Sequence, residues 1–502
     1  MPDPQETRKY TSIPQSSGDD TQGILEPSIE TRLHQSLDED IELHSLDSLD
    51  FDHSLDEEPP IVDDEKGKSD MKMAFMNMAN SILGAGIIGQ PFAFKNTGLV
   101  GGIIVLILLT FLIDWTLRLI VKNATMARTQ SYQDFAAHCY GKFGRILLLF
   151  SVGSFAYGGC MAFCVIIGDT IPHVLKAFIP ASITESSAAG WLFHRNVIIT
   201  IFTTCISYPL SLNRDISKLA RASGFALFGM LIIVVLVAVR GPFADKSLRQ
   251  PLSTAEWTVN YNIFQGISVI SFALVCHHNT TFIYNSLKTK VKQRFDMLTH
   301  VVCIISMICC LLMAVNGLVN FGGKTKGNIL NNFKSNDNWI NVARFCFGLN
   351  MLTTFPLEIF VVRDVMRDIV YFSLHSNGDE SGSSHFELSS KQHFFITTFL
   401  VFTSMSVALF TCNLGIILEL IGATSASLMA YIIPPMCYLK LSWEQIDYKS
   451  LNNTEKRQFH LSKTLPSVAC TIFGLLVMVI SSFMSIRTSL KSSGESDHCV
   501  SD

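Results

Sequence analysis

Long apolar runs separated by short polar segments make up most of the chain after residue 70. A helix needs about 20 mostly apolar residues to cross the hydrocarbon core of a membrane, and eleven runs come close to that length. The pattern therefore predicts an all-α integral membrane protein with about 11 transmembrane helices. Their predicted limits are 72–95, 98–121, 146–171, 196–212, 222–240, 261–285, 298–320, 340–362, 393–412, 414–438 and 464–486.

Lysine and arginine in the polar segments predict the orientation of these spans. If the N-terminus is cytoplasmic, the cytoplasmic segments hold 24 basic residues and the segments on the opposite side hold nine. Basic residues are retained on the cytoplasmic side of membrane proteins. The count therefore favours a cytoplasmic N-terminus and, with an odd number of spans, a C-terminal tail (487–502) outside the cell or in a lumen.

The first 70 residues form an acidic segment that holds 20 of the 42 acidic residues and five of the 38 basic ones. Its Ser-Leu-Asp repeat has too little apolar mass to offset the entropy of ordering, so a disordered cytoplasmic tail is expected. The segment lacks the apolar core of a secretory signal. Its acidic serine sites suit kinases or sorting adaptors, and a purely solubilising tail is the alternative; the serines are Ser36, Ser45, Ser48 and Ser54.

Composition supports the membrane class and excludes several soluble ones. Hydrophobic residues make up 48% of the chain, mean hydropathy is +0.34 and the formal net charge is only −4. No basic patch indicates nucleic acid binding. Most of the 13 cysteines lie inside apolar runs, where they are expected to act as small buried hydrophobic residues and not as disulfides or metal ligands.

The first span contains Gly84, Gly86 and Gly89 in the spacing G-x-G-x-x-G. This spacing binds a pyrophosphate only between a strand and an uninterrupted helix, and neither is predicted beside Pro91. One alternative is an unwound helix whose free N–H groups face an anion and whose carbonyls face a cation. The other is a small-residue face for close helix packing.

A second interruption in the sixth span favours the unwound helix. There an apolar run meets a polar cluster, residues 276–281, at mid-membrane depth, where polar groups are costly without partners. Interruptions in the first helix of two five-helix halves indicate an inverted-repeat transporter with its site at the membrane midplane. The transporter domain is predicted at 71–486, with repeats at about 71–240 and 261–438 and an extra helix at 464–486.

His277 has two explanations in this setting: a neutral side chain that satisfies backbone groups in the helix break, or a proton relay. A zinc site is not expected, because neighbouring residues on a helix point about 100° apart and no second cluster has ligand spacing. In the second span, Asp114 precedes Arg118 by four residues. That order favours a structural ion pair over a role in transport.

Seven motifs in order resemble the amino acid/auxin permease family, in particular its fungal vacuolar amino acid transporters and animal sodium-coupled neutral amino acid transporters. The resemblance covers nearly all of residues 71–486. The motifs are NMANSILGAGIIGQPFAF (77–94), CVIIGDTIPHVL (164–175), YPLSLNRDISKLARAS (208–223), FALVCHHNTTFIYNSL (272–287), FGGKTKGNILNNF (321–333), TTFPLEIFVVRDVM (353–366) and LGIILELIGATSASLMAYIIPP (414–435).

The resemblance implies a LeuT-type inverted-repeat fold and the transport of amino acids, driven by sodium or by protons. It also implies a substrate site at the two breaks. The carboxylate would be held by the first span, through Asn80, Ser81, Gly84, Ala85 and Gly86. The amino group and the selectivity for side chains would depend on Cys276, His277, Asn279 and Thr280, and Tyr157 of the third span is a further candidate contact.

Two sets of residues are candidates for ion coupling. In members with a sodium site, the first and eighth spans supply it, which implies Asn80 and Thr354 here, with Thr353 as a neighbour. Proton coupling points to Glu358 and Glu419, since an unpaired carboxyl group within a span favours its neutral form, and also to His277. The structural alternatives are an ion pair between Glu358 and Arg363 and a hydrogen bond from Glu419.

Together these observations predict a secondary active transporter of mostly neutral amino acids, working by alternating access in a vacuolar or lysosomal membrane and coupled to protons. The alternatives are a sodium-coupled symporter of the plasma membrane and, in a different class, a membrane sensor of amino acids with little flux. We expect a monomer surrounded by lipid, with no catalytic residues, no cofactor and no bound metal apart from a possible sodium ion.

Overall fold

Residues 69–184, 190–214, 223–288, 290–374, 387–411 and 413–492 are described by the computed structural model. Regular structure in these ranges is helical, apart from one isolated parallel bridge between Ser69 and Leu287. The predictions for the acidic tail, including its four serines, fall outside the described residues except at its last two positions, 69 and 70. Residues 493–502 of the C-terminal tail also fall outside them.

Sixteen helices are labelled here in chain order. They are α1 (Met71–Ile82), α2 (Gln90–Thr97), α3 (Leu99–Met126), α4 (Tyr132–Phe178), α5 (Arg195–Phe202), α6 (Tyr208–Ser211), α7 (Ser223–Arg240), α8 (Ile263–Leu274), α9 (His277–Ser286), α10 (Lys292–Phe321), α11 (Asn338–Leu374), α12 (Ser390–Phe410), α13 (Leu414–Ile421), α14 (Ile433–Glu444), α15 (Asn453–Phe459) and α16 (Leu465–Ser492).

Shorter helical segments connect several of these. Single α-helical turns occur at Ala181–Thr184 and Thr254–Trp257. The 3-10 segments are Ala85–Gly89, Gly190–Phe193, Gly241–Phe243, Gly322–Lys324 and Ile329–Asn332. The π-helical segments are Thr203–Ser207, Gly422–Ala426, Leu428–Ile432 and His460–Thr464.

Nine helices within the described ranges are long and apolar enough to cross a membrane, judged by length and composition. Two of the eleven predicted spans are not among them. The first, 72–95, is divided into α1, a 3-10 segment and α2, and the fourth, 196–212, is a short α5 and α6 joined by a π-helical turn. Both spans therefore exist as interrupted helices. The sixth span is also divided, into α8 and α9, but together these are long and apolar enough to count among the nine.

Local sequence explains where many helices begin and end. Ser389 and Gln392 form a reciprocal capping box before α12, and the hydroxyl of Ser131 accepts a hydrogen bond from the Asp134 amide at the start of α4. Within α4 the backbone kinks at Gly141, whose φ of 60° is accessible to glycine. At the other end of the chain, α16 continues to Ser492, six residues into the predicted C-terminal tail, whose limit stays a prediction.

The interior joins the two halves of the chain. The long helix α11 packs along α4, and α8 packs against α2, so elements of the first predicted repeat lie against elements of the second. The 11 described cysteines are free thiols and nine of them are buried, which confirms the hydrophobic role expected for most of them. The repeat boundaries themselves stay a prediction.

One partly buried ion pair anchors the second predicted span. An Arg118 guanidinium nitrogen lies 3.2 Å from a carboxylate oxygen of Asp114, and His300 Nδ1 of α10 lies 2.9 Å from the other oxygen. This confirms the ion pair predicted from the four-residue spacing. Because His300 also takes part, the cluster ties α3 to α10.

Candidate functional site

The first predicted span is broken at its glycines. Helix α1 ends at Ile82, Gly84 leaves the helical region with φ −79° and ψ −141°, and a 3-10 segment covers Ala85–Gly89. Pro91 then lies in the first turn of α2, where its missing N–H costs no helical hydrogen bond. The interruption predicted in the first span is therefore confirmed.

The sixth span is broken as well, but earlier than predicted. Helix α8 ends at Leu274, Val275 and Cys276 lie outside any helix, and α9 begins at His277. The backbone N–H of Asn279 and the hydroxyl of Thr280 both donate to the Cys276 carbonyl oxygen, at 3.0 and 3.3 Å. These bonds close the first turn of α9, so residues 277–281 are helical. The break consists of Val275 and Cys276, whereas residues 276–281 were predicted.

Three consecutive side chains of α9 point toward three different helices. Nε2 of His277 lies 2.9 Å from the Thr116 hydroxyl of α3, and the side-chain amide of Asn279 donates to the Ser81 hydroxyl of α1 at 3.1 Å. Between them, the His278 ring centroid lies 5.3 Å from that of Phe155 in α4. Successive residues on a helix point about 100° apart, which explains why these side chains reach three different helices. The Asn279–Ser81 bond joins the two broken spans.

His277 is therefore placed differently from what its sequence position suggested. Its side chain is fully buried and bonds a hydroxyl of a neighbouring helix, where one alternative had predicted bonds to backbone groups of the break. The partners Thr116 and Phe155 were not foreseen, because nothing in the sequence within their own helices distinguishes them. The proton-relay role of His277 stays a prediction.

Polar residues beside the breaks keep some accessible surface among fully buried neighbours. Asn80, Ser81 and Gly84 are partly exposed, while Ala79, Ile82 and Leu83 are each only 1% exposed. In α9, Asn279 is partly exposed between buried His277 and Thr280. Accessible polar surface at both breaks is what a midplane substrate site requires.

The glycines of the first break have different roles. At Gly86, an added Cβ would lie 2.5 Å from the Cα and Cβ of Ala273 in α8, whereas at Gly84 the nearest atoms are carbonyl oxygens of its own helix at 3.7 and 3.8 Å. Close helix packing therefore explains Gly86. Gly84 remains available to a ligand, and Ala85 is buried between the two.

Tyr157 lies in α4 and is partly buried against the hydrophobic core. Its neighbours Gly158 and Gly159 allow close packing: an added Cβ would lie 2.4 Å from Ile421 at the first and 3.9 Å from the Cγ of Glu358 at the second. The small residues thus place α4 against both α11 and α13. Contact of Tyr157 with substrate stays a prediction.

The residues suggested for sodium are not joined to one another. The Thr353 hydroxyl donates to the carbonyls of Leu349 and Asn350, which occupies it within its own helix. The Thr354 hydroxyl donates to the Asn350 side-chain oxygen at 2.9 Å. Oδ1 of Asn80 is buried and, within the described part of the chain, has no hydrogen-bond partner, so Thr354 does not bond it. Asn350 is a polar neighbour that the sequence did not single out.

Glu358 has no ionic partner among the described residues. Its Oε2 atom is buried without a hydrogen bond. The predicted ion pair with Arg363 is wrong, because that guanidinium donates to the Ser211 carbonyl at 2.8 Å and to the Thr397 hydroxyl at 3.3 Å. Glu358 and Arg363 are five residues apart, which places them on different sides of the helix.

Glu419, in contrast, accepts three hydrogen bonds from three helices. Its Oε1 accepts from Asn96 of α2 at 3.2 Å, and its Oε2 accepts from Gln265 of α8 at 3.1 Å and from Ser485 of α16 at 2.9 Å. The side chain is 2% exposed. Glu419 is therefore hydrogen-bonded as its structural alternative required, but as an acceptor, and its expected role in closing a gate stays a prediction.

We expect Glu419→Gln to lower the melting temperature of the purified protein, by the equivalent of about 1–3 kcal/mol. The substitution places an amide NH2 where a carboxylate oxygen accepts hydrogen bonds, so one donor faces another. Thermal unfolding in detergent measures the effect, and Ser485→Ala, which removes only one donor, should cost less. An unchanged melting temperature in Glu419→Gln would show that the carboxyl group is held in its neutral form.

No group of three or more His, Cys, Asp or Glu side chains in the described ranges is arranged to hold a metal ion. The candidate cation ligands are thus oxygen atoms of amides and hydroxyls, at Asn80, Asn350 and Thr354. Oxygen ligands of this kind suit a hard monovalent ion and not a transition metal.

A bundle of membrane-length helices, with two broken helices that meet through polar contacts, defines a multi-pass membrane transporter. The chain belongs to the family described as "Transmembrane amino acid transporter protein", whose sequence profile matches residues 67–487. This is a family of multi-pass transporters with the LeuT-type fold. The protein is accordingly an amino acid transporter embedded in a membrane, and not an enzyme.

Individual relatives agree with this assignment. The chain is 49% identical over 434 residues to vacuolar amino acid transporter 2 of Saccharomyces cerevisiae, a match that covers 86% of each chain. It is 34% identical over 386 residues to the protein named "Putative sodium-coupled neutral amino acid transporter 11" of Danio rerio, covering 76% of this chain and 81% of that one. It is 25% identical over 420 residues to sodium-coupled neutral amino acid transporter 7 of Xenopus laevis, covering 82% and 87%.

Proposed function

We propose that this protein is a secondary active transporter that moves mostly neutral amino acids across a vacuolar or lysosomal membrane, coupled to protons, by alternating access around its two broken helices. The vacuolar assignment is supported by the name of the yeast relative, and the neutral substrates by the names of the animal relatives. The N-terminus is proposed to face the cytoplasm, as the distribution of basic residues favours.

The observation that carries proton coupling is the state of Glu358. This carboxyl group lies within α11, one oxygen is buried without a hydrogen bond, and no described cation pairs with it. Burying an ionised carboxylate in that position is far more costly than burying a protonated one, although a neutral carboxyl group without a hydrogen bond also carries a cost. A carboxyl group that is neutral here and exchanges its proton when the surroundings change is suited to carry a proton through the transport cycle.

The substrate is proposed to bind between the breaks. The first N–H groups of a helical segment have no acceptor within it, so the 3-10 segment Ala85–Gly89 offers donors to a carboxylate next to the accessible Gly84. One turn earlier, Asn80 Oδ1, an acceptor, is buried and has no hydrogen-bond partner among the described residues. The hydrogen bond from the Asn279 side chain to Ser81 brings α9 beside α1, which supports binding of the amino group at the break before α9.

Either ion gradient is energetically sufficient. One pH unit contributes about 1.4 kcal/mol per proton, and each 100 mV of membrane potential contributes roughly 2.3 kcal/mol per charge. The choice of ion therefore depends on the side chains and not on the available energy.

Flux measurements test this proposal directly. Proteoliposomes are loaded to impose a pH gradient or a sodium gradient separately, and the uptake of a panel of radiolabelled amino acids is followed. We expect accumulation with the pH gradient alone. Accumulation with sodium alone would overturn proton coupling, and specific binding without flux under either gradient would favour an amino-acid sensor.

Sodium coupling is the second candidate, favoured by the free Asn80 oxygen and by the Thr354–Asn350 pair in α11. Thr354→Ala removes the hydroxyl from this pair. Under proton coupling, we expect uptake driven by the pH gradient to change less than about twofold, because the hydroxyl bonds Asn350 of its own helix and takes no part in the proposed proton transfer. A large rise in the sodium concentration needed for half-maximal uptake would instead place Thr354 at a sodium site.

A further inference from the structure

Two of the quoted motifs meet at one end of the helix bundle. Residues 325–333, called here the lid segment, belong to the loop between α10 and α11. The Lys95 ammonium of α2 donates to the Thr325 carbonyl at 3.2 Å. Further along, Gly327 lies so close to α13 that an added Cβ would be 2.6 Å from the Gly415 amide nitrogen. The lid segment thus covers the ends of two helices, one of which continues directly from the first break.

The centre of the lid segment is held by Asp169 near the end of α4. Its Oδ2 accepts hydrogen bonds from the side-chain amides of Asn328 and Asn331, at 3.3 and 2.9 Å. Its Oδ1 lies 3.4 Å from Nε of Arg195, and both side chains of this ion pair are less than a tenth exposed. A buried carboxylate here holds a loop more than 150 residues away in sequence.

The same ion pair is fixed to the rest of the bundle through Arg195. Its guanidinium also donates to the carbonyls of Ala408 and Thr411, at 3.0 and 3.2 Å, at the end of α12. Hydrogen bonds to charged groups are stronger than neutral ones, so Asp169 and Arg195 form a rigid attachment point on α4, α5 and α12.

A separate attachment holds the far end of the lid segment. The fully buried Arg344 of α11 donates to the carbonyls of Leu330 and Phe333, at 2.8 and 2.9 Å, and to Asn341. This attachment uses backbone carbonyls and does not involve Asp169. Loss of the Asp169 contacts would therefore loosen the middle of the segment while its end stays in place.

We propose that Asp169 is a positioning residue for transport, which holds the lid segment against α2 and α13 and thereby limits the exchange of substrate with the aqueous phase on that side of the membrane. This inference rests on the proposed function. The lid segment connects α2, which follows the proposed carboxylate site, to the attachment point on α4, α5 and α12. Its attachment therefore controls one face of the substrate site. The opposite face depends on α1 and α9, whereas the hydrogen bonds and ion pair of Asp169 go to Asn328, Asn331 and Arg195.

The test uses the full chain in proteoliposomes whose orientation is determined by proteolysis of the N-terminal tail. Wild type and Asp169→Asn are compared for the KM and maximal rate of a transported amino acid, supplied from each side in turn. We expect Asp169→Asn to raise KM about tenfold on the lid side, through loss of its charged hydrogen bonds, and to leave KM on the other side within twofold. The double variant Asp169→Asn with Asn331→Asp returns one carboxylate to the cluster and should recover part of the effect.

Asn316→Ala is the control, because the side-chain amide of this partly exposed residue of α10 donates to a carbonyl of its own helix, that of Leu312. It should leave both KM values unchanged. An Asp169→Asn variant with unchanged KM on the lid side, or with equal changes on both sides, would overturn the inference. If Asp169→Asn does not fold, Asn331→Ala, which removes one amide donor, is used instead. It should raise KM on the lid side only, and by a smaller factor; an unchanged KM on that side would equally overturn the inference. A wild-type protein without flux would reject the proposed function itself.

Discussion

Glu358→Gln is expected to abolish the accumulation of substrate that a pH gradient drives. A gradient of two pH units allows about 100-fold accumulation for one coupled proton, and without a titrating group at this position the internal concentration should only reach the external one. Glutamine has nearly the same shape as a neutral glutamic acid, and Glu358 has no ion pair to lose among the described residues. Folding and substrate binding should therefore be retained.

Two measurements in proteoliposomes separate coupling from folding. Accumulation under the pH gradient should be lost, while exchange of labelled for unlabelled substrate across the membrane should continue. Asp364→Asn is the control on the same helix, because its carboxylate is paired with Arg367 at 2.6 Å, and it should change accumulation less than about twofold. Normal accumulation in Glu358→Gln would remove Glu358 from the proton path.

Gly86→Ala and Gly84→Ala are expected to fail in different ways, although they are two residues apart. At Gly86 the added methyl would collide with the backbone of Ala273. Overpacking of a tight core costs about 1–3 kcal/mol, and here α8 would have to move away from the first break. We expect a lower melting temperature in detergent together with loss of transport.

At Gly84 the methyl meets no atom closer than 3.7 Å. The protein should keep its melting temperature, but the methyl would occupy accessible surface where the substrate carboxylate is proposed to bind, so the KM for uptake should rise. Gly84→Val should abolish transport and leave membrane insertion intact. A normal KM in Gly84→Ala would mean that this glycine serves packing only, whereas an unchanged melting temperature in Gly86→Ala would contradict the close contact with α8.

Several features of the fold could be predicted because they depend on residues close together in the chain. The apolar runs located the membrane helices, and glycines with a following proline located the first break. The four-residue spacing located the Asp114–Arg118 ion pair. The polar cluster predicts the second break too far along the chain, because its side chains belong to a new helix that the Cys276 carbonyl begins.

The candidate site was predicted less completely, since the state of a polar side chain depends on what lies opposite. Glu358 and Glu419 look alike in sequence, as single acids in apolar helices. Yet Glu419 accepts three hydrogen bonds, one of them from Asn96, while one oxygen of Glu358 is buried without any. The side chains of Asn350 and Thr116 carry no local signal of their contacts, because their partners come from folding. Asp169 carries the signal of an acid inside a predicted span, but its partners Asn328, Asn331 and Arg195 also come from folding.

Membrane insertion, the approximate helix limits and the existence of two helix breaks follow from the order of residues alone, because hydrophobic length and backbone preferences act over a few helical turns. Which acid is partnered, which glycine packs against another helix and which loop covers the bundle follow from three-dimensional packing. These contacts join residues far apart in the chain, as in the bonds of Glu419 to Asn96 and of Asp169 to Asn331. Their free energy depends on burial and on the presence of a partner, and neither is encoded in any short stretch.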